Sequence, residues 1–378
     1  MASPVKTEVG AGYAPFGHFL YKRPFNAPED PRVDGPIDLY VIGHGQVLLR
    51  AASLFPEREI VTESYTSIGT ADRPLIAAAV QIRDEARGLE PQRFITLIAA
   101  VDPAAQTVLH AAEVLRSDTA AETAPKKLTG SPAATAAAFS TETSTALPSR
   151  TFSFDAMNGA KLWESQGWIE GPVLGAVTVL KAGSGTQSDG KEPCEVAIDI
   201  EVATGKALHT LESASLGTPC PHIEVISIDN NGGSAQQAEK QKYVRITAST
   251  SEKQSTYEAL TGQERTLPAT VVAVDPHSDL VFPLGRVSDR NSQRVEPFGV
   301  LDTATGKPAW TLDAQKAYQL GATVRALYDG KVYLKTTDQE PVVDLATGKT
   351  ISDNDPRYPI GAVDTWTYWS DGTLEKKF

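Results

Sequence analysis

The chain reads as all-β, folded as a single β-propeller of four-stranded antiparallel blades. Three observations predict this. A unit made of a short apolar run, a tight turn and a second short run recurs along the chain. Its recurrences are spaced by 42 to 57 residues, room for four short strands each. Both ends of the chain are rich in aromatic residues, as two halves of one shared blade would be.

The recurring unit is clearest at Val300–Leu312, VLDTATGKPAWTL. Other copies are VVDLATGKTI at Val342–Ile351, IEVATGKAL at Ile200–Leu208, FDAMNGAKLW at Phe154–Trp163 and YEALTGQER at Tyr257–Arg265. A degenerate copy, VDPAAQTVL, lies at Val101–Leu109. In each clear copy an acid precedes a glycine by four positions: Asp155 before Gly159, Glu201 before Gly205, Glu258 before Gly262, Asp302 before Gly306 and Asp344 before Gly348. A carboxylate opening a turn accepts N–H groups that would otherwise stay unpaired. The glycine takes the positive φ that a three- to five-residue hairpin loop commonly needs. Each unit is therefore a β-hairpin, and a period in the forties to fifties suits one propeller blade.

Taken in order, residues 1–36 carry Tyr13, Phe16, Phe19, Tyr21 and Phe25, too many aromatics for a free tail. Part of this segment is expected to pair with the last strands and close the ring, removing exposed sheet edges. Residues 37–66 give a hairpin turning at Gly43-His44-Gly45. Residues 72–88 would suit a capped helix, but PLIAAAVQI aligns with PVLGAVTVL at 172–180, so a strand is preferred. Residues 117–149 are Ala, Thr, Ser and Pro with almost no large apolar side chain. They bury too little to offset ordering entropy and read as a low-complexity insertion or linker. Further polar loops fall at Gly183–Pro193, Asn230–Gln241 and Ser288–Glu296, making one face loop-rich. The most regular blade is 322–353, with strands at Thr323–Leu327, Lys331–Lys335 and Pro341–Leu345 and a fourth after Gly348. The segment from Trp366 to Phe378 reads as strands one and two of the shared blade. The count comes to eight blades, with seven as the alternative, in one domain spanning 1–378.

These residues resemble the PQQ-like, BamB-like β-propeller repeat, whose signature is an LDxxTGKxxW turn. The match is close at 300–312, lacks the tryptophan at 341–351 and is partial elsewhere, over about two thirds of the chain. At the repeat's ring position stand Trp163 and Trp310, which the resemblance assigns to packing between blades. It implies an exported protein that scaffolds a cell-envelope complex, tethered as a lipoprotein through a cysteine upstream of this sequence. Its catalytic relatives bind PQQ and calcium, often beside an adjacent cysteine pair; here Cys194 and Cys220 are far apart.

Composition narrows the partners. A net charge of −12 argues against a nucleic-acid binder and against broad adhesion to anionic lipid. Cys194 and Cys220 each sit in a Pro-containing loop and flank one hairpin. In an oxidising compartment they would form a disulfide worth ~3 kcal/mol; the alternative is two buried thiols. No apolar run approaches the ~20 residues of a membrane span, and the opening MASPVKTEVGAG has no signal-peptide core. The Met-Ala start is read as placed after a removed leader; the alternative is a native cytoplasmic N-terminus.

No chemistry declares itself. The six histidines, His18, His44, His110, His209, His222 and His277, show no metal-ligand spacing, and neither GxSxG nor a phosphate-binding loop is present. Asp229-Asn230-Asn231-Gly232-Gly233 lacks the spaced ligands of a calcium loop. The expectation is a non-catalytic extracytoplasmic binding module with envelope protein partners, no cofactor, and membrane contact only through a lipid anchor. A quinoprotein-type oxidoreductase is the alternative.

Overall fold

A computed structural model describes residues 5–22, 33–84, 91–131, 133–141, 149–169, 177–184, 194–212, 223–228, 243–248, 254–258, 265, 271–275, 278–283, 298–312 and 322–376. Within the strands between 177 and 298, only part of the side chains is described. Eight antiparallel sheets follow one another along the chain. Sheet 1 holds Tyr13–Phe16, Phe19–Lys22, Ile37–Val41 and Gly45–Leu49. Sheet 2 holds Glu59–Thr70, Arg73–Asp84, Arg93–Asp102 and Thr107–Ser117, with the short strand Val33–Asp34 added beside Glu59–Thr70. Sheet 3 holds Pro125–Gly130, Ala136–Thr141, Arg150–Asp155 and Lys161–Gln166. Sheet 4 holds Trp168–Ile169, Val177–Ser184, Cys194–Glu201 and Ala207–Glu212. Sheet 5 shows Ile223–Ile228, Tyr243–Ala248 and Gln254–Glu258. Sheet 6 holds Val271–Val274, Leu280–Pro283, Phe298–Asp302 and Lys307–Leu312. Sheet 7 holds Thr323–Tyr328, Lys331–Lys335, Val342–Asp344 and Thr350–Ser352.

Sheet 8 joins the two ends of the chain. Pro359–Val363, Trp366–Trp369 and Thr373–Lys376 take the outer strand Lys6–Glu8, in the register Lys6↔Glu375 and Glu8↔Thr373. The C-terminal segment thus supplies strands two and three of the shared sheet, one position later than expected. Repeated four-stranded meanders with shared termini make this an all-β fold of the β-propeller class. Helix is confined, among the described residues, to Ala51–Leu54 and a 3₁₀ turn at Ala120–Glu122.

The burial pattern follows from stacking each sheet between two others. Inner strands are covered on both faces and read as continuous apolar runs, as Leu75–Ile82 does. Outer strands alternate, as Thr107–Ser117 does. Separate apolar clusters fill the spaces between sheets 1 and 2, 2 and 3, 3 and 4, 6 and 7, 7 and 8, and 8 and 1. The preference for a strand at 72–88 agrees with Arg73–Asp84.

One expectation fails. Residues 125–130 and 136–141, inside the supposed insertion at 117–149, are the two inner strands of sheet 3, and Ala136–Thr141 is buried throughout. The small side chains let neighbouring sheets approach closely. A Cβ on Gly130 would stand 2.4 Å from the carbonyl oxygen of Ser67 in sheet 2. Alanine and serine here record tight packing rather than a shortage of burial.

Candidate functional site

The acid-to-glycine turns share one geometry. The Gly159 N–H donates to the Asp155 carbonyl at 2.7 Å. At 2.8 Å, Gly205 donates likewise to Glu201, Gly306 to Asp302 and Gly348 to Asp344. The four glycines have φ between +68° and +72°. Asp155 Oδ1 accepts the Met157 N–H, and Asp302 Oδ1 accepts the Ala304 N–H, both at 2.9 Å. The Thr347 hydroxyl, followed by its N–H, holds the Asp344 carboxyl below its ordinary range. The degenerate copy keeps the turn, with Asp102 accepting from Ala104 and Gln106 at φ +53°. Gly262 and the Glu258 side chain lie outside the described residues, as do Cys220 and the Cys194 side chain.

A β-bulge follows each of these turns. The register skips Leu109, Leu162, Leu208, Ala309 and Ile351, each three positions after the turn's glycine or its substitute. In sheets 3 and 6 the residue after the bulge is turned toward the next sheet. That places Trp163 against sheet 4 and Trp310 against sheet 7. Trp163 Nε1 donates to the Val202 carbonyl and Trp310 Nε1 to the Leu345 carbonyl, both at 2.8 Å. Each ring lies over the turn glycine of that next sheet. A Cβ on Gly205 would sit 2.7 Å from Trp163, and one on Gly348 would sit 2.7 Å from Trp310. These two glycines thus serve two ends, a positive φ and a seat for the neighbouring indole.

Gly159 also serves two ends, but differently from Gly205 and Gly348. Its φ of +72° is the expected one. No indole covers Gly159, however, because the sheet before it, sheet 2, carries His110 where Trp163 and Trp310 stand in theirs. A Cβ on Gly159 would lie 2.2 Å from Ala112 Cβ and 3.8 Å from His110 Nε2. Gly159 is therefore a close-approach position against the outer strand of sheet 2, as well as a turn. The buried His110 Nε2 has no hydrogen-bond partner.

In a meander, the turns joining strands one to two and three to four leave one end, while the two-to-three connections and the sheet-to-sheet links leave the other. The second strands of sheets 1, 2, 3, 4 and 6 therefore end, and their third strands begin, at one common end, the loop-bearing end. Asn230–Gln241, expected on the loop-rich face, lies outside the described residues. At the loop-bearing end a groove of about 580 Å³ opens between sheets 2 and 3, lined by Arg116, Glu122, Arg150, Phe152, Glu164 and Gln166 among others. Arg150 pairs with Glu164 and lies 5.0 Å over the Phe152 ring. Arg116 grips Glu113 with Nε and Nη2 at 2.6 and 2.7 Å and holds that carboxyl below its ordinary range. Gln81 fixes the link above the groove by donating to the Ala120 carbonyl and to Thr123 Oγ1, at 2.6 and 2.7 Å. The groove thus presents charged pairs on both walls around one aromatic ring. Sequence reasoning missed it, because Arg116, Arg150 and Glu164 come from separate strands and share no motif.

At the opposite end the hairpin tips of sheets 8, 1 and 2 meet. His18 Nδ1 lies 2.7 Å from Asp364 Oδ1, and its Nε2 lies 3.3 Å from the Gly69 carbonyl. An Asp–His pair is the orienting half of a hydrolytic triad, but Ser67 Oγ here accepts the His18 backbone N–H at 3.1 Å instead of facing the ring. Among the described residues no three His, Cys, Asp or Glu side chains gather as a metal site.

No protein-family model matches the chain, and no curated protein matches it. Solved structures that align with it include the β-propeller domain of the Trilobed protease from Pyrococcus furiosus, at 11% identity over 85% of this chain and 90% of that one, TM-score 0.34. Pyrococcus horikoshii acylaminoacyl peptidase aligns at 9% identity over 83% of this chain, TM-score 0.36. This chain spans 49% of that peptidase's length. Quinohemoprotein alcohol dehydrogenase ADHIIG from Pseudomonas putida HK5 aligns at 11% identity over 96% of this chain and 70% of that one, TM-score 0.35. The fold class stands on the sheets themselves, and similarity this distant carries neither substrate nor partner.

Proposed function

We propose that the protein is a non-catalytic binding module of the β-propeller class, acting outside the cytoplasm as a scaffold in a cell-envelope complex. It engages protein partners through the loop-bearing end. The carrying observation is where the strands end: in five sheets the second strand stops and the third starts at one end, and the groove beside Arg116 and Arg150 opens there. Loops held by a rigid scaffold are where recognition concentrates. The signature residues support the same reading, since their side chains are spent on turn bonds and sheet-to-sheet clamps.

Photo-crosslinkers placed at Gln166, beside the groove, and at Lys307, beside a signature turn, test this in the native cell. A discrete envelope partner captured from Gln166 and not from Lys307 is the expected result. Capture from Lys307 alone, or fractionation of the protein with the cytosol, overturns it. The compartment reading includes a Cys194–Cys220 disulfide, so denatured, unreduced protein should show no titratable thiol. The alternative, a quinoprotein-type oxidoreductase, is tested by reconstitution with PQQ and calcium. A bound chromophore with dye-linked turnover would replace the binding reading.

A further inference from the structure

We propose that His18 is a proton-controlled latch holding the sheet that joins the two chain ends to the two sheets beside it. The latch sits where three hairpin tips converge. His18 is buried at the tip of the first hairpin of sheet 1. Gly17 before it has φ +62°, and a Cβ there would lie 2.0 Å from Ser67, so the tip is pressed against sheet 2. Asp364, at φ +53°, forms the tip of the first hairpin of sheet 8. Gly69 belongs to the first hairpin of sheet 2.

The chemistry follows from what faces the ring. Sheet 8 presents the Asp364 carboxylate at 2.7 Å, and sheet 2 presents the Gly69 carbonyl at 3.3 Å and the Ser67 hydroxyl, which is engaged with the His18 backbone. Phe19, the next residue, meets the imidazole edge-on. The charged residues at the sheet 2 tip, Asp72 and Arg73, are exposed. Carboxylate and carbonyl oxygens only accept, so satisfying both needs an N–H on each ring nitrogen, which is the imidazolium form. Removing one proton leaves a buried nitrogen lone pair against an oxygen, or breaks the contact to Asp364. The stabilisation is present while the ring is doubly protonated and is lost as rising pH removes that proton. The seam between sheets 8, 1 and 2 therefore loosens with rising pH.

Nitrogen-detected NMR of the full protein reads the ring directly. Both His18 nitrogens should carry protons at acidic pH, with one proton lost on raising the pH. Hydrogen exchange at the Val9 and Lys376 amides, which pair across the chain ends, reads the consequence. After correction for intrinsic exchange, their opening should rise on the order of ten-fold across the ring's titration. His18→Gln and Asp364→Asn should remove that dependence. A single neutral tautomer throughout pH 5–8, or equal pH dependence in the variants, overturns the latch. If neither variant folds, the nitrogen spectrum of the unaltered protein decides alone.

Discussion

Two glycines with the same backbone conformation should respond very differently to alanine. Gly306 and Gly348 have φ of +68° and +69° and occupy equivalent turns. A Cβ on Gly306 meets nothing within 4 Å, whereas one on Gly348 would sit 2.7 Å from Trp310 Cδ2. Gly306→Ala should then cost only the left-handed backbone penalty, about 1–2 kcal/mol. Gly348→Ala adds the displacement of Trp310. That breaks the 2.8 Å bond from Nε1 to the Leu345 carbonyl, about 0.5–1.5 kcal/mol, and re-exposes part of a half-buried indole, about 1–2 kcal/mol more. The excess of Gly348→Ala over Gly306→Ala is therefore about 1.5–3.5 kcal/mol. Equilibrium urea unfolding followed by far-UV circular dichroism measures it without relying on Trp310 fluorescence. Repeating both substitutions in a Trp310→Ala background is the decisive control, because the excess should vanish there. Equal costs in the native background, or an excess that survives without the indole, would refute the clamp.

Further outcomes can be measured in the same way. Trp163→Phe and Trp310→Phe each keep an aromatic ring and delete one N–H bond, so each should cost about 0.5–1.5 kcal/mol. The pair should add, since the clamps sit between different sheets and share no residue. Burial alone would raise the Glu375 pKa, but Lys6 and Arg357, each at 2.6 Å, hold it below the ordinary range. A depressed carboxyl contributes stability above its unfolded value, and that stability is lost as pH falls through the folded value. Glu375→Gln should therefore flatten the acid limb below about pH 4.5, by about 0.5–1 kcal/mol for a pair this exposed. A denaturation series from pH 3 to 7 checks it, and an unchanged acid limb would count against the pairing.

Much of the fold was legible because the turn signature is local. An acid and a glycine four positions apart encode a hairpin without reference to anything distant, and five such pairs set the blade period. The misreading at 117–149 has a physical cause. Composition measures how much apolar surface a segment can bury, whereas Ala136–Ala138 and Gly130 are small because two sheets approach from either side. That information belongs to the partner sheet. The second duty of Gly159 was hidden for the same reason, since Ala112 in sheet 2 imposes it. The sites were less legible still. His18 and Asp364 are 346 positions apart and meet only because the chain ends share a sheet. Arg150 and Glu164 lie diagonally across one hairpin, but the groove they border also needs the end of sheet 2.

The bulge after each turn also settles how the rim should be read. Leu109, Leu162 and Ile351 are 43%, 41% and 54% exposed, and together with Leu48 and Val5 they are the exposed large hydrophobics among the described residues. Apolar side chains repeating around a rim invite a docking-band interpretation. Their register argues otherwise. Each of those three is the residue the ladder skips, pushed outward so that its successor can face the next sheet. Their exposure goes with the bulge, and Ala309 in sheet 6 shows it too, whereas Leu208 in sheet 4 is only half-exposed. A feature generated by the repeat cannot discriminate one partner from another. On the proposed binding role, selectivity would come from what differs between sheets, such as the lengths of the two-to-three connections.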